Sequence, residues 1–324
     1  MILVVLENQR GKIHSFSREA VVAGQIFAKK YDEELCILCL GENVEVLKEE
    51  ASEFESDKLL VAEHELISQY TSDGFSKALS EIIAQESPRF TIMGHTYIAR
   101  DFLPRVSVKQ NLPFIGDLTS VSFEDEKTIF CKQVFNAKFL TNIEMDPSIE
   151  KAILSFQSAA FDKDKIIKGS PKNIIDVKLN LKDSDVRITS EEAFKESDSD
   201  VDLSSANFIV TVGRGIESED NIPMMEEFVE NVGADLGSSR PVVDMGIMPK
   251  SRLVGSSGFT VSPDLYLAVG LSGAIQHVVA MKGSKKIMGI NTDRDAPIFE
   301  IADYAVVGDL FEIIPELTKK LSDS

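Results

Sequence analysis

The residues best equipped for chemistry lie in one stretch, Leu265 to Asn291, LYLAVGLSGAIQHVVAMKGSKKIMGIN. The pattern predicts a buried strand, a sharp turn through Gly270-Leu271-Ser272-Gly273, an amphipathic helix and a second buried strand. Ser272 is expected as the helix N-cap. The following amides, of Gly273, Ala274 and Ile275, then lack intrahelical partners, and such a helix start attracts an anionic or electron-rich group. Gln276 and His277 fall within the first turn. Two hydrogen-bonding side chains beside free amides can read the edge of a polar heterocycle as well as a phosphate. Against this, Gly and Ser are common at strand-to-helix turns, and a lone His is more often structural than functional.

Other chemistry-bearing residues recur where strands are expected to end: Arg214, Ser239 with Arg240, the loop Val254-Gly255-Ser256-Ser257-Gly258, Asn291, and Asp309 with Leu310. A long cofactor spanning several loops would explain them together. The sequence has no His, Cys and carboxylate cluster at metal-ligand spacing, and no nucleophile beside a plausible base, so binding and redox tuning are expected rather than hydrolysis. Plainer readings stand beside these: Arg214 as a surface arginine, Ser272 as a cap only, Asn291 as a turn former. Arg240 differs, since it precedes a proline and opens a helix, where a positive charge opposes the macrodipole. Gly213-Arg214-Gly215 is an incomplete dinucleotide fingerprint, because Ser218 stands at the third glycine. His95 is expected to be a contact or loop residue without a functional role.

The elements that must position these residues alternate. ILVVLE, LCILCLG, KLLVAEH and RFTIMGH read as strands, with helices near 17–30, 44–54 and 73–86, a pattern that predicts a mainly parallel sheet covered by helices. After Asn111, the runs TSVSFED, TIFCKQVF, AKFLTNIEM and KAILSFQ read as antiparallel strands closing the same domain. From about 163 to 204 periodicity fades, and residues 191–202 hold six acids against one lysine, so a solvated acidic linker is expected there. The reading is therefore α/β in two domains: residues 1–200, and a doubly wound sheet over 201–324 built from NFIVTVG, ADLG, LYLAVG, KKIMGIN and YAVVGD. In such sheets ligands sit outside the carboxyl ends of the strands.

A chain of 324 residues is long enough for two domains. No apolar run approaches the roughly 18 residues of a membrane span, and the N-terminus has neither a basic signal region nor an Arg-rich presequence, so a cytoplasmic protein, of bacterial source, is expected. The net charge of -19 argues against nucleic acid and for a basic protein partner. Cys36 and Cys39 sit three apart on an apolar strand and point to opposite faces, which excludes a zinc or redox pair; with Cys131 they read as reduced thiols.

The C-terminal third resembles the alpha subunit of electron-transfer flavoproteins. Leu265-Tyr266, Gly270-Leu271-Ser272-Gly273, Ile275-Gln276-His277 and Ile290-Asn291 carry the resemblance. It extends through Ala296-Pro297-Ile298-Phe299, Ala302-Asp303-Tyr304 and Gly308-Asp309-Leu310-Phe311, and upstream through Gly213-Arg214-Gly215, Ser239-Arg240-Pro241 and Val254-Gly255. It implies a bound FAD, with Arg240 against the flavin ring, the Ser257 hydroxyl near N5 and O4, and His277 donating toward O2. Ser272, Gly273, Ala274, Ile275, Gln276 and Asn291 would hold the ribityl and pyrophosphate, and Asp309 with Leu310 the adenosine end. It further implies a beta subunit as partner, carrying AMP or a second FAD, a flavin dehydrogenase as donor and a quinone oxidoreductase as acceptor. Helix-terminal amides, His277 and Arg240 would favour an anionic semiquinone; two or three charge-assisted hydrogen bonds would raise the first potential by roughly 100 mV or more.

The chain departs from the family where relatives carry Val-Gly-Gln-Thr-Gly-Lys and this sequence has Val254-Gly255-Ser256-Ser257-Gly258-Phe259. Ser257 keeps the hydroxyl but loses the stiffening methyl. Ser256 loses an amide, and Phe259 replaces a charge expected near the partner surface. Ala280 stands where Gly is common. Two rival readings are an NAD-dependent oxidoreductase on the same sheet, which the broken fingerprint disfavours, and a nucleotide-binding regulatory module without a redox role.

Overall fold

The computed structural model describes residues 1–9, 11–124, 127–135, 139–146, 148–190, 203 and 206–322, with residue 322 described by its backbone alone. The chain forms two compact units, one of Met1–Val134 with Phe139–Ala193, the other of Phe135–Lys138 with Phe194–Ser324.

The first unit opens with β1 (Ile2–Leu6), a short antiparallel pair β2 (Asn8–Gln9) and β3 (Lys12–Ile13), and helix α1 (Ser15–Tyr31). It continues through β4 (Leu35–Gly41), α2 (Glu45–Ala51), β5 (Ser56–Glu63), α3 (Ser72–Glu86), β6 (Phe90–Gly94) and α4 (Tyr97–Gln110). Then come β7 (Phe114–Glu124), β8 (Lys127–Val134), β9 (Phe139–Glu144), β10 (Ala152–Phe156) and β11 (Pro171–Asp176). Among the described residues they make a nine-stranded sheet in the order β11-β5-β4-β1-β6-β10-β7-β8-β9.

The alternation of side chains along each strand splits the core in two. Ile2, Val4 and Leu6 pack with α1 and α2, whereas Leu3 and Val5 pack with α3 and α4. Cys39 belongs to the first cluster and Cys36 to the second, so the C-x-x-C spacing separates the thiols by a sheet. Burial pushes both thiols up to about 12, which keeps them un-ionised and unreactive.

Three features differ from the sequence reading. KAILSFQ does not close the sheet as an antiparallel strand: β10 inserts between β6 and β7, parallel to both. Its uninterrupted burial is that of a central parallel strand. Helix α4 was not expected. Thr96 caps it, accepting from the Ala99 amide, and Ala99, Phe102, Leu103 and Val106 are buried at helical spacing, but Pro104 inside the helix removes one backbone donor and obscures the signal. The stretch expected as linker from about 163 contains β11, paired in parallel with the edge strand β5, followed by buried Leu179 and Leu181. The acidic part of that linker, 191–202, lies outside the described residues.

The second unit runs β12 (Phe208–Val212), α5 (Ile222–Val232), β13 (Asp235–Ser238), α6 (Arg240–Asp244), β14 (Leu265–Val269), α7 (Ile275–Met281), β15 (Lys286–Asn291), β16 (Tyr304–Val307) and α8 (Leu310–Ser322). All its strand pairs are parallel, in the order β13-β12-β14-β15-β16. Helices α5 and α8 contribute to a core on one face with Val210, Val212, Leu267, Val269 and Ile290. On the other face α7 packs with Ile209, Tyr266 and Ala268. This is a doubly wound sheet. The chain leaves β12 first toward β13 and then crosses to β14, so the topological switch point, where such sheets open a crevice, lies between the carboxyl ends of β12 and β14.

Candidate functional site

Because every strand of the second unit is parallel, all their carboxyl ends fall on one edge, and each of the candidate residues follows such an end or lies in the loop before β14. At the switch point the loops after β12 and β14 meet backbone to backbone. The Gly213 amide donates to Val269 O at 2.8 Å and the Gly215 amide to Gly270 O at 3.0 Å. A side chain at Gly213 would lie 2.3 Å from Gly270 O and Leu271 Cα. The paired glycines thus serve close loop packing, which accounts for the incomplete dinucleotide fingerprint. Arg214 is exposed and makes no ion pair among the described residues.

The turn after β14 is tighter than the sequence implied. Ser272 is not the N-cap of α7. Gly273 follows with φ +82°, packed so closely that a Cβ would meet Ile298 N at 2.3 Å, and the cap falls on Ala274, which has no side-chain acceptor to offer. Helix α7 spans only seven residues, so its macrodipole is short and the anion attraction expected of it is weaker than a long helix would give. The exposed residues Ser272, Ala274, Ile275 and Gln276 border the turn.

At the end of β13 the structure brings together residues far apart in sequence. The Arg240 guanidinium donates from Nε to Asp244 at 2.7 Å and from NH1 to the Ser257 hydroxyl at 3.4 Å. Asp244, four residues on in the same helix, offsets the unfavourable placement of Arg240 at the helix start. Ser239 is buried, caps nothing with its side chain, and its Oγ has no hydrogen-bond partner among the described residues. The loop carrying Ser257 is fastened at both sides: Val254 N donates to Ser238 O at 2.9 Å and Ser256 N to Gln276 O at 2.9 Å. Phe259 is partly buried against the core with Val254 and Tyr266, so it is a packing residue and not the surface residue expected.

His277 faces inward from α7. Its Nε2 lies 2.8 Å from the Tyr266 hydroxyl, while Nδ1 is buried without a partner of normal hydrogen-bond geometry. Burial brings its pKa down to about 4, only partly opposed by the Val254 backbone, so the ring is neutral near pH 7.

Toward the other edge of the sheet a cavity of about 130 Å³ opens among Gly215, Glu217, Gly270, Asn291, Asp309 and Phe311, with Leu310 also in its wall. Asp309 caps α8, its carboxylate accepting from Phe311 N at 2.9 Å. A carboxylate already seated there suits a ribose hydroxyl or a base edge better than a phosphate. Asn291 spends its side chain on the protein: Nδ2 donates to Leu271 O at 2.9 Å, and Oδ1 accepts from Asp293 N at 2.9 Å. It braces the turn while lining the cavity. The sequence reading missed Glu217, Thr292 and Gly308 as lining residues; their positions just past strand ends were the available signal.

From the Arg240 group beyond β13 to the cavity beyond β15 and β16 is three to four strand spacings, roughly 15–19 Å. Only a long ligand reaches both.

Comparisons with known proteins bear on which ligand. The model described as electron transfer flavoprotein FAD-binding domain matches residues 202–282, and that described as electron transfer flavoprotein domain matches residues 2–182. The chain is 36% identical over 320 residues to the electron transfer flavoprotein subunit alpha of Bacillus subtilis, covering 98% of this chain and 96% of that one. This chain belongs to the electron transfer flavoprotein alpha family. Protein FixB of Clostridium saccharobutylicum is 33% identical, with 98% and 94% covered. The acryloyl-CoA reductase electron transfer subunit beta of Anaerotignum propionicum is 29% identical, with 99% and 95% covered. The second unit is thus the FAD-binding domain of an electron transfer flavoprotein. Its features fit such a cofactor: among the described residues Ser239 Oγ and His277 Nδ1 are buried without hydrogen-bond partners, and Gly215 and Gly270, at the switch point, line the cavity. In the first unit, among the described residues, His95 Nδ1 lies 2.8 Å from Ser155 Oγ and accepts from the Asp117 amide at 3.2 Å, and its Nε2 lies 3.4 Å from the Asp117 carboxylate. No helix among the described residues is long and apolar enough to cross a membrane.

Proposed function

We propose that this chain is the FAD-carrying subunit of a two-chain electron carrier, accepting electrons from a flavin dehydrogenase and passing them to a quinone oxidoreductase or another acceptor. The observation that carries this reading is the meeting of Arg240 with Ser257, a cation and a hydroxyl brought within 3.4 Å across seventeen residues, beside the unpartnered Ser239 hydroxyl. Bound FAD would supply the one-electron chemistry.

The residues divide the work. Arg240 and Ser257 would face the flavin ring, Arg240 favouring the negative charge that arrives with the first electron and Ser257 giving a hydroxyl to a ring nitrogen or carbonyl. His277, neutral, would donate from the buried side. Ser272 to Gln276 would run along the ribityl and pyrophosphate, with the turn held by Asn291. Asp309 and Glu217 would receive the adenosine end in the cavity, and Leu310 would wall it.

The second chain is expected to be an electron transfer flavoprotein beta subunit, holding AMP or a second FAD, and the pair to work in the cytoplasm. A relative named as an electron transfer subunit of acryloyl-CoA reductase supports a flavin enzyme acting on an acyl-CoA as one redox partner. The test is anaerobic stepwise reduction of the chain purified with its beta subunit, followed by visible absorbance. Flavin reduced in two separated one-electron steps is the expected result. Colourless protein would overturn the reading in favour of a nucleotide-binding module, and a single two-electron step would remove the single-electron role.

A further inference from the structure

His277 and its neighbours form a chain of buried polar groups that flavin binding alone does not explain. Tyr266, on β14, is wholly buried, and its hydroxyl lies 2.8 Å from His277 Nε2. A buried phenol must place both its proton and its lone pairs. On the adjacent strand β12, Thr211 is buried as well, and its hydroxyl has no hydrogen-bond partner of normal geometry among the described residues; burial raises the phenol's pKa well above its ordinary value, with the nearby Thr211 a smaller opposing influence. Nε2 is the partner of normal geometry that the phenol has among the described residues, and a phenol that accepted there would keep its own proton buried without an acceptor, so that proton goes to Nε2.

The other side of the ring agrees. Burial lowers the imidazole's pKa, and the Val254 backbone acts the other way, as a carbonyl near the ring does. A carbonyl can only accept. Nδ1, the nitrogen not engaged by Tyr266, is buried with no hydrogen-bond partner among the described residues, which leaves the N–H it carries for a ligand. Val254 heads the loop that carries Ser257, and the same loop is tied to the residue before His277 through the Ser256 amide.

We propose that Tyr266 is a positioning residue that fixes the His277 tautomer: the Tyr266 hydroxyl, backed by Thr211, donates to Nε2, so that Nδ1 carries the proton and is presented as a neutral donor to the bound cofactor. The reading rests on FAD occupying the site, but the tautomer itself does not. Placing the donor on a neutral ring makes its strength independent of pH across the physiological range. A protonated histidine there would add a full charge and bring pH sensitivity.

The test uses the full chain, purified with its partner, with histidine ring nitrogens selectively labelled with ¹⁵N and His277 assigned against His277→Gln. The expected spectrum at pH 7 shows a protonated Nδ1 and an unprotonated, hydrogen-bonded Nε2. Tyr266→Phe should shift the tautomer ratio toward Nε2–H by about tenfold, the worth of one buried hydrogen bond, and lower the flavin's first reduction potential without loss of flavin. Thr211→Val, nearly isosteric, should move the ratio the same way by less, and it stands in if Tyr266→Phe fails to fold. An Nε2–H tautomer in the unaltered protein would overturn the proposal, as would a ratio unmoved by both substitutions. Colourless protein with the expected tautomer would overturn the FAD reading and leave the Tyr266 role standing.

Discussion

Arg240 and Ser257 are separated by a helix and a long loop, and their meeting is the clearest result at the scale of single residues. The Arg240 side chain is 58% exposed, so its effect on a nearby charge is screened until a ligand covers it. Arg240→Ala is expected to lower the flavin's first reduction potential by about 60 mV, the equivalent of one charge-assisted hydrogen bond at the weak end of its range. A potentiometric titration showing an unchanged first potential with FAD still bound would remove Arg240 from the site. A second residue-scale prediction concerns Glu7, which follows β1. Burial pushes its pKa to about 7 from 4.5, although Thr96 donates to it. The folded state therefore holds this proton more tightly than the unfolded state. The stabilisation is complete below pH 4.5 and is lost as pH rises to 7, about 3 kcal/mol at most. Glu7→Gln should leave stability near that of the parent at pH 5 and make the chain more stable at pH 8, as read by urea unfolding; equal differences at both pH values would rule the linkage out. Glu19, likewise pushed to about 7 by burial, works in the same direction. None of this was legible in the sequence, because Glu7 follows a strand like any other polar residue and only the packing around it raises its pKa.

At the scale of elements, reading the order was easier than reading the joints. The second unit's strands were legible since each is a short apolar run ending in Gly, Ser or Asn, and the residues proposed to face the cofactor lie at or just past those ends or in the loop before β14. The cap of α7 was not. Ser272 has the right chemistry for an N-cap, but Gly273 adopts φ +82° and turns the chain once more before Ala274 begins the helix; one glycine's backbone angle outweighs one serine's preference. Similarly, KAILSFQ was legible as a strand but not by direction, because a continuous apolar run has the same pattern parallel or antiparallel, and only its pairing with β6 and β7 decides. The turn gives a prediction of its own. Gly273→Ala imposes a left-handed angle on a residue with a side chain and drives its Cβ to 2.3 Å from Ile298 N, so the second unit should lose about 2 kcal/mol or more and FAD should bind weakly. A variant that kept both its stability and its flavin would mean that the turn relaxes without cost, and that it does not set the site.

Over the whole molecule, the two units bury separate cores. The first unit buries its apolar residues on both faces of one sheet and the second does the same with its own strands and helices. The net charge of -19 is large enough to steer encounters with a basic partner and to make them sensitive to salt, but it does not distinguish the units. Cofactor binding does, for every residue assigned to FAD lies in the second. A ligand that binds only the folded form stabilises what it binds, by about 2.7 kcal/mol at a hundredfold excess over its dissociation constant. If the units open independently, that stabilisation stays in one of them. Adding FAD to the stripped chain should therefore slow amide exchange by up to about a hundredfold in β12 and β14 while leaving β1 and β4 unchanged, measured by hydrogen–deuterium exchange with peptide resolution. Equal slowing in all four strands would mean that the cores open together and that the chain, despite two compact units, is one cooperative body. Slowing confined to the second unit would make the first a scaffold whose stability the redox state of the flavin does not touch, free to hold a partner while the cofactor domain exchanges electrons.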